Sequence, residues 1–301
     1  MGTRMNTSEE PIESILAQFV NVHHLNTVTD AENAFRARAE AFKGYGSICD
    51  SFRSLFINCV LTLNQETSAN DPQVSRDYLW VLLRVTDNFH WLSAAERQAF
   101  AGYPFPALSQ LRNIFDSAVL TAAVAQRIVT PAEVDGVGAD PKERDPALVR
   151  KRRKQTERRV DDEMLGPLSG LSPETRTQLE KINDLFDLET HGHRLTATRA
   201  NEWLLGQGPL RVLPHYTELQ FGAFLCRHIE TMWMVHRLLP LLRLPSLASN
   251  GAFKRHWDAL DEQFNRSSLG LAEQVGKPVG YAIIEFVTTK FPFGAESRLS
   301  L

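Results

Sequence analysis

Two stretches of this 301-residue chain hold residues whose types and spacing suit acid–base, anion-binding or metal chemistry. The first is Arg112 with Asp116, four apart in ALSQLRNIFDSAVLTAAVAQR, residues 107–127. Wound as a helix, that spacing lets guanidinium and carboxylate pair along one side, a contact of roughly 0.2–0.5 kcal/mol when exposed. Buried, each needs the other or a further polar partner, because an unpaired buried charge is costly. The second stretch is Glu189, His191, His193 and Arg194 in ETHGHR. Histidine titrates near neutral pH and can give or take a proton there. Alternate positions diverge by about 200° on a helix, so His191 and His193 share a pocket only if Gly192 makes a local turn. Glu189-x-His191-x-His193 also offers three metal-ligand types, in a spacing that fits an extended loop better than a helix. No HExxH or other established zinc spacing accompanies it. Set against these chemistries is a structural reading, in which Arg112, Asp116, Glu189 and His191 form a buried network that fixes helix register.

A third stretch is purely electrostatic. Residues 150–159, RKRRKQTERR, hold seven basic side chains and one acidic, and Asp161, Asp162 and Glu163 follow. Arg150, Lys151, Arg152, Arg153, Lys154 and Arg158 would make a phosphate-binding stripe on a helix. No aromatic is interleaved with them, and opposite charges three and four apart can instead pair along a solvated helix.

The elements that must position these residues are helical by spacing. In the central stretch Leu108, Leu111, Phe115, Ala118, Ala122, Ala125 and Val129 recur at three- and four-residue steps, with Pro104 and Pro106 before them and Thr130-Pro131 after. The rest of the chain is expected to pack around this helix. Ser8 caps a first helix through Val20, with His23-His24 near its end. Asp30 opens a long pattern whose core runs from Tyr45 to Leu63, and a third helix spans about Val74 to Leu92. Ser93-Ala-Ala-Glu96 reads as a capping box for a short connecting helix. Residues 130–146 form a linker or loop, and Ser172-Pro173-Glu174 starts a helix that runs into the histidine cluster. Pro214 begins the last strongly periodic helix, which ends at Pro240. His215, His228 and His236 read as capping or core-edge residues, with His228 and His236, eight apart, able to share a face. Phe253, Trp257, Leu260 and Phe264 make a short amphipathic helix, whereas 280–287, GYAIIEFV, fits either a strand or a buried helical turn.

Composition narrows the class. With 43% hydrophobic and 23% charged residues the chain is globular, and a net charge of −3 does not describe a general nucleic-acid coat. Cys49, Cys59 and Cys226 are odd in number, lie in apolar helical patterns and form no CxxC, which predicts buried free thiols in a reducing compartment. No apolar signal core and no run of about eighteen apolar residues occurs, so a cytoplasmic protein without a membrane span is expected.

Leu111-Arg112-Asn113-Ile114-Phe115-Asp116 followed some eighty residues later by His191-Gly192-His193 resembles a group of bacterial helical proteins related to the HEPN superfamily. In that group a Leu-Arg-x-x-x-Glu helix packs near a later helix bearing His-Gly/Pro-Ser. Asp116 stands here where Glu is usual, and His193 where Ser is usual. The resemblance covers roughly residues 75–240. It implies a helical bundle, often a homodimer, that serves as an accessory or interaction protein in bacterial stress, toxin–antitoxin or phage-defence settings. The active members are metal-independent ribonucleases with an Arg followed four to six residues later by His. Arg84 and His90 have five intervening residues, but Val85 follows the arginine where a polar residue is preferred. On that reading one histidine would deprotonate a ribose 2′-hydroxyl, another would protonate the leaving oxygen, and Arg112 would hold the phosphate while Asp116 or Glu189 orients an imidazole.

The expectation is therefore an all-α, HEPN-like multi-helix bundle over residues 1–245 with a short C-terminal appendage over 246–301, possessing no cofactor. Its partners are a second copy, RNA or another protein. The leading function is accessory or interaction protein with a polar Arg/Asp/His cluster that is structural or binds a ligand; the alternatives are a metal-independent endoribonuclease and a metal site at Glu189, His191 and His193.

Overall fold

The computed structural model describes residues 22–39, 43–66, 76–136, 145–167, 169–190, 218–242, 250–275 and 277–291. Among them the chain is all helical, with no strand. The α-helices are α1 (Val22–Ala39), α2 (Lys43–Glu66), α3 (Arg76–Phe100), α4 (Pro104–Ala125), α5 (Pro131–Val134), α6 (Pro146–Met164), α7 (Pro173–Thr190), α8 (Glu218–Leu238), α9 (Gly251–Val275) and α10 (Lys277–Lys290), and a 3-10 turn, Leu239–Leu242, follows α8. No described helix is long and apolar enough to cross a membrane.

The stretch around Arg112 is the hub that its periodicity predicts. It forms α4, which starts on Pro104 where the missing amide costs nothing, and packs against α3, α6, α7 and α8. Leu108, Leu111, Ile114, Phe115 and Ala118 are buried, as are all five residues from Thr121 to Ala125. The small side chains of that last turn and a half let neighbouring helices close in. The α3–α4 connection is tight: Gly102 takes φ 99°, with Tyr103 N–H donating to Gln98 O (3.1 Å) and Gly102 N–H to Ala99 O (3.0 Å). This is a Schellman end, which a glycine enters without a Cβ clash. At the far end of α4 the same bond pattern falls on Arg127 at φ 60°, a conformation disfavoured for a side-chain-bearing residue.

The first helix anticipated from Ser8 lies outside the described residues. Asp30 does not open a helix; it lies inside α1, which is under way by Val22, and a separate helix begins at Lys43. Ser93 and Glu96 do not cap a connecting helix. The chain runs through them in one helix to Phe100, because Leu92, Ala95 and Ala99 continue the buried stripe of Val81, Val85 and Asn88. Thr130, expected to close the central helix, caps the next one: its hydroxyl accepts from Glu133 N–H while the Glu133 carboxylate accepts from Thr130 N–H. The segment 280–287 is helical within α10, and the amphipathic piece at 253–264 is part of the longer α9.

The described part of the C-terminal 246–301 region shares the main core. α9 packs on α2 and α8, and α10 on α7 and α9. Phe264 meets Phe52 edge-on at 6.2 Å, and Phe286 stacks on Phe115 of the hub at 5.8 Å. Aromatic pairs of this kind add to the burial of their area.

Candidate functional site

Arg112 and Asp116 do pair: Arg112 Nε donates to Asp116 Oδ2 at 3.0 Å. Arg112 is one-fifth exposed and Asp116 half exposed. α4 meets α6 here, and Arg112 also acts on Asp161 of α6. Burial raises the Asp161 carboxyl pKa, and the nearby Arg112 charge partly offsets that rise. Arg112 thus pairs with a carboxylate of its own helix and lies near enough to a second on α6 for its charge to be felt there. His191 and His193 lie outside the described residues. Glu189 falls in the last turn of α7, where only the backbone is described.

Arg84 and His90 are not brought together. α3 is continuous, and six positions along it put two side chains about 120° apart. Arg84 stacks over the Trp80 ring at 5.0 Å with Asp135 at 3.7 Å, while His90 is exposed beside Phe89.

The basic run is helical, as expected, but the structure divides it. One side faces α5. Arg153 Nε donates to Asp135 O (2.9 Å), Arg159 pairs with Glu133 (2.8 Å), and the buried Thr156 hydroxyl donates to Glu133 O (3.2 Å). Gly136, at φ +70°, permits this approach; a Cβ there would stand 2.7 Å from Val149 O. Arg152 is half-buried. Arg150, Lys151, Lys154 and Arg158 point the other way, exposed, and none has an ion-pair partner among the described residues. Positions 150, 154 and 158 are successive turns of one face, and 151 lies beside them.

Three polar groupings, two in the interior and one part-buried, were not legible in the sequence. Tyr45 O–H is hydrogen-bonded to His228 Nδ1, and His228 Nε2 donates to Leu92 O at 3.2 Å. Burial holds the imidazole below its ordinary pKa, so it is neutral with the proton on Nε2, and burial likewise pushes the Tyr45 hydroxyl up. Beside them Arg53 pairs with Glu96 across α2 and α3, and burial raises the Cys49 thiol to about 12. A cavity of about 10 Å³ sits between Cys49, Arg53, Ser93, Glu96 and His228. It has room for about one water, whereas small-molecule sites run to several hundred Å³. Second, Asp261 of α9 accepts from Trp233 Nε1 (2.7 Å) and from Arg237 Nε (2.8 Å) and Nη2 (2.5 Å) of α8. The His236 ring stacks on Trp257 at 4.6 Å, with Nε2 donating to Trp257 O (3.2 Å); burial drives its pKa down to about 3. Third, Glu285 of α10 caps α7, accepting from Ser172 N–H (2.6 Å), Ser172 O–H (3.0 Å) and Thr175 O–H (2.7 Å).

His228 and His236 are therefore core residues rather than caps or core-edge residues, 1% and 0% exposed. Their eight-residue spacing was the available signal. All three cysteines are free and buried, as expected. Among the described residues no group of three or more His, Cys, Asp or Glu side chains could hold a metal ion. No protein-family model, curated protein or solved structure matches this chain.

Proposed function

We propose that this chain is an accessory or interaction protein of the helical, HEPN-like kind, in which Arg112 and Asp116 hold helices together rather than act on a substrate. The observation that supports it most directly is the placement of Arg112. It pairs with Asp116 on its own helix, and its charge also acts on Asp161 of α6, so it is already engaged with carboxylates of the fold. A guanidinium so occupied is a poor phosphate clamp, because a developing negative charge would compete with carboxylates already in place. The bacterial stress, toxin–antitoxin or phage-defence setting and the homodimer are what the family resemblance implies, and they belong to the same proposal.

The test is cleavage of a mixed RNA pool in EDTA by purified wild-type chain and by Arg112→Ala and His191→Ala variants of verified fold. The expected result is no cleavage by any of the three, with Arg112→Ala modestly less stable. Products ending in 2′,3′-cyclic phosphate, lost in both variants, would overturn the proposal and establish the metal-independent ribonuclease. For the remaining alternative, zinc titration of wild type and His193→Ala is expected to show no difference; stoichiometric binding lost in the variant would establish a metal site.

A further inference from the structure

We propose that the outer face of α6 is a docking surface for an acidic segment of another protein, with Arg150, Lys151, Lys154 and Arg158 meeting carboxylates presented at helical spacing. This rests on the interaction-protein reading above and names the chemistry of the partner.

Among the described residues no ion-pair partner meets these four side chains. Their neighbours on the same helix are engaged: Arg153 and Arg159 hold α5, and Val160 and Met164 are buried against the body. Arg150, Lys154 and Arg158 fall on consecutive turns over about 12 Å, at about 1.5 Å per residue, with Lys151 alongside.

Helix stability does not account for the position of the four outer bases. A helix favours acids in its first turn and bases in its last. α6 has no acid in its first turn and no base in its last, where Asp161, Asp162 and Glu163 crowd the negative end. Along the helix, base precedes acid, as in Arg158 before Asp162, which is the weaker order for a four-residue pair. The fold accounts for the acids, since Asp145 caps the first turn, Asp161 lies near Arg112 and Glu163 near Lys290, whereas neither the macrodipole nor pairing along the helix accounts for the four outer bases.

Single-stranded nucleic acid is held by aromatic platforms as well as charge, and residues 146–164 contain no aromatic. A phosphate backbone is uniformly anionic, and one that followed the stripe beyond Arg158 would meet Asp161 and Asp162 on that side of the helix, whereas Glu163 turns toward Lys290 of α10. An acidic protein segment is finite and can end, or change sign, within three turns. Such exposed charge contacts are individually weak and screened by salt, which suits a reversible partner.

The test uses the full chain and fluorescence anisotropy at low salt. The probes are a labelled alanine-based peptide with Glu at every fourth position, the same peptide with Lys, and a labelled single-stranded RNA. One variant carries R150Q, K151Q, K154Q and R158Q. A control carries R76Q, R97Q, K181Q and R255Q, removing the same charge from exposed positions elsewhere. A third reverses the four α6 residues to Glu. The expected result is that wild type binds the Glu peptide, that affinity falls at least about tenfold in the α6 variant and little in the control, and that the reversed variant binds the Lys peptide instead. Equal losses in both neutralised variants, no binding of the Glu peptide, or tighter binding of RNA that depends on α6 would each overturn it. Thermal melts of all three variants check the fold. RNA cleavage, scored separately, overturns the interaction reading without touching the peptide result.

Discussion

The α8–α9 interface and the outer face of α6 both carry arginines, and they treat them in opposite ways. At α8–α9, Arg237 is 11% exposed and shares Asp261 with the Trp233 indole, with its guanidinium over the Trp233 and Trp257 rings at 5.6 and 5.8 Å. On α6 the four outward bases stand in water. Desolvation explains the difference: a charge taken into the fold must arrive with its partner, whereas an exposed charge can wait for one. Pairing therefore marks the residues that hold this molecule together, and the proposed docking surface is marked by four exposed bases gathered on successive turns of one face.

The largest effect is expected from Asp261→Ala. It leaves the Trp233 N–H unpaired and the Arg237 guanidinium with the Phe291 carbonyl (3.2 Å) in place of a carboxylate, at an expected cost of roughly 3 kcal/mol. Neutralising the four outer bases of α6 should stay within about 0.5 kcal/mol per site. Urea denaturation of the two variants under one buffer makes the comparison. Similar losses would mean that the α6 bases have structural partners after all.

His236 gives the interior a pH signature. Its folded pKa of about 3 lies below the 6.5 of a free histidine. Between those values the unfolded chain binds the extra proton, so stability rises with pH there. The contribution is complete above pH 6.5 and drains as pH falls. At about 1.4 kcal/mol per pH unit, roughly 2–3 kcal/mol disappears between pH 6.5 and 4.5. In His236→Phe that slope should flatten while stability at pH 7 drops. An unchanged slope would place the acid sensitivity elsewhere.

What could be read from the sequence follows the range of the interaction. The helical character of the basic run, the proline start of α4 and the cap at Ser172 are set by neighbours within four residues, and each was legible. Glu96 shows the limit. Locally, Ser93-Ala-Ala-Glu96 satisfies the capping pattern, but a buried stripe carries the helix through it, and Glu96 pairs with Arg53, 43 residues away. The Asp261 and Glu285 contacts were hidden for the same reason, since polar residues on amphipathic helices read as solvent-facing until another helix covers them. The division of the basic run into a held side and an open side also depends on where α5 sits.

Glu285 lies between the two extremes, exposed at one edge yet fully used. Burial pushes its pKa up, and the hydrogen bonds from Ser172 and Thr175 outweigh that, so the net shift is downward. The sign follows: its stabilisation is present above the ordinary carboxylate pKa and is lost as pH falls through the lowered one. Glu285→Ala should cost about 1–2 kcal/mol and raise hydrogen exchange at the first turn of α7. Ser172→Ala should reproduce part of the loss, since the hydroxyl serves both Glu285 and Thr175 N–H.

The smallest effect sharpens the comparison most, because it should run the other way. Asp162 is exposed in the last turn of α6, where its charge opposes the macrodipole and adds to the Asp161 charge beside it. Asp162→Lys removes both repulsions and puts a base where the helix end favours one. The variant should be more stable by about 0.3–1 kcal/mol, seen as a small rise in Tm, which a residue selected for fold stability would not allow. It also extends the basic face by one turn, so its affinity for the Glu peptide should rise while its melting temperature does. A fall in Tm would show that Asp162 already serves the fold, and the charge order of α6 would then need no partner to explain it.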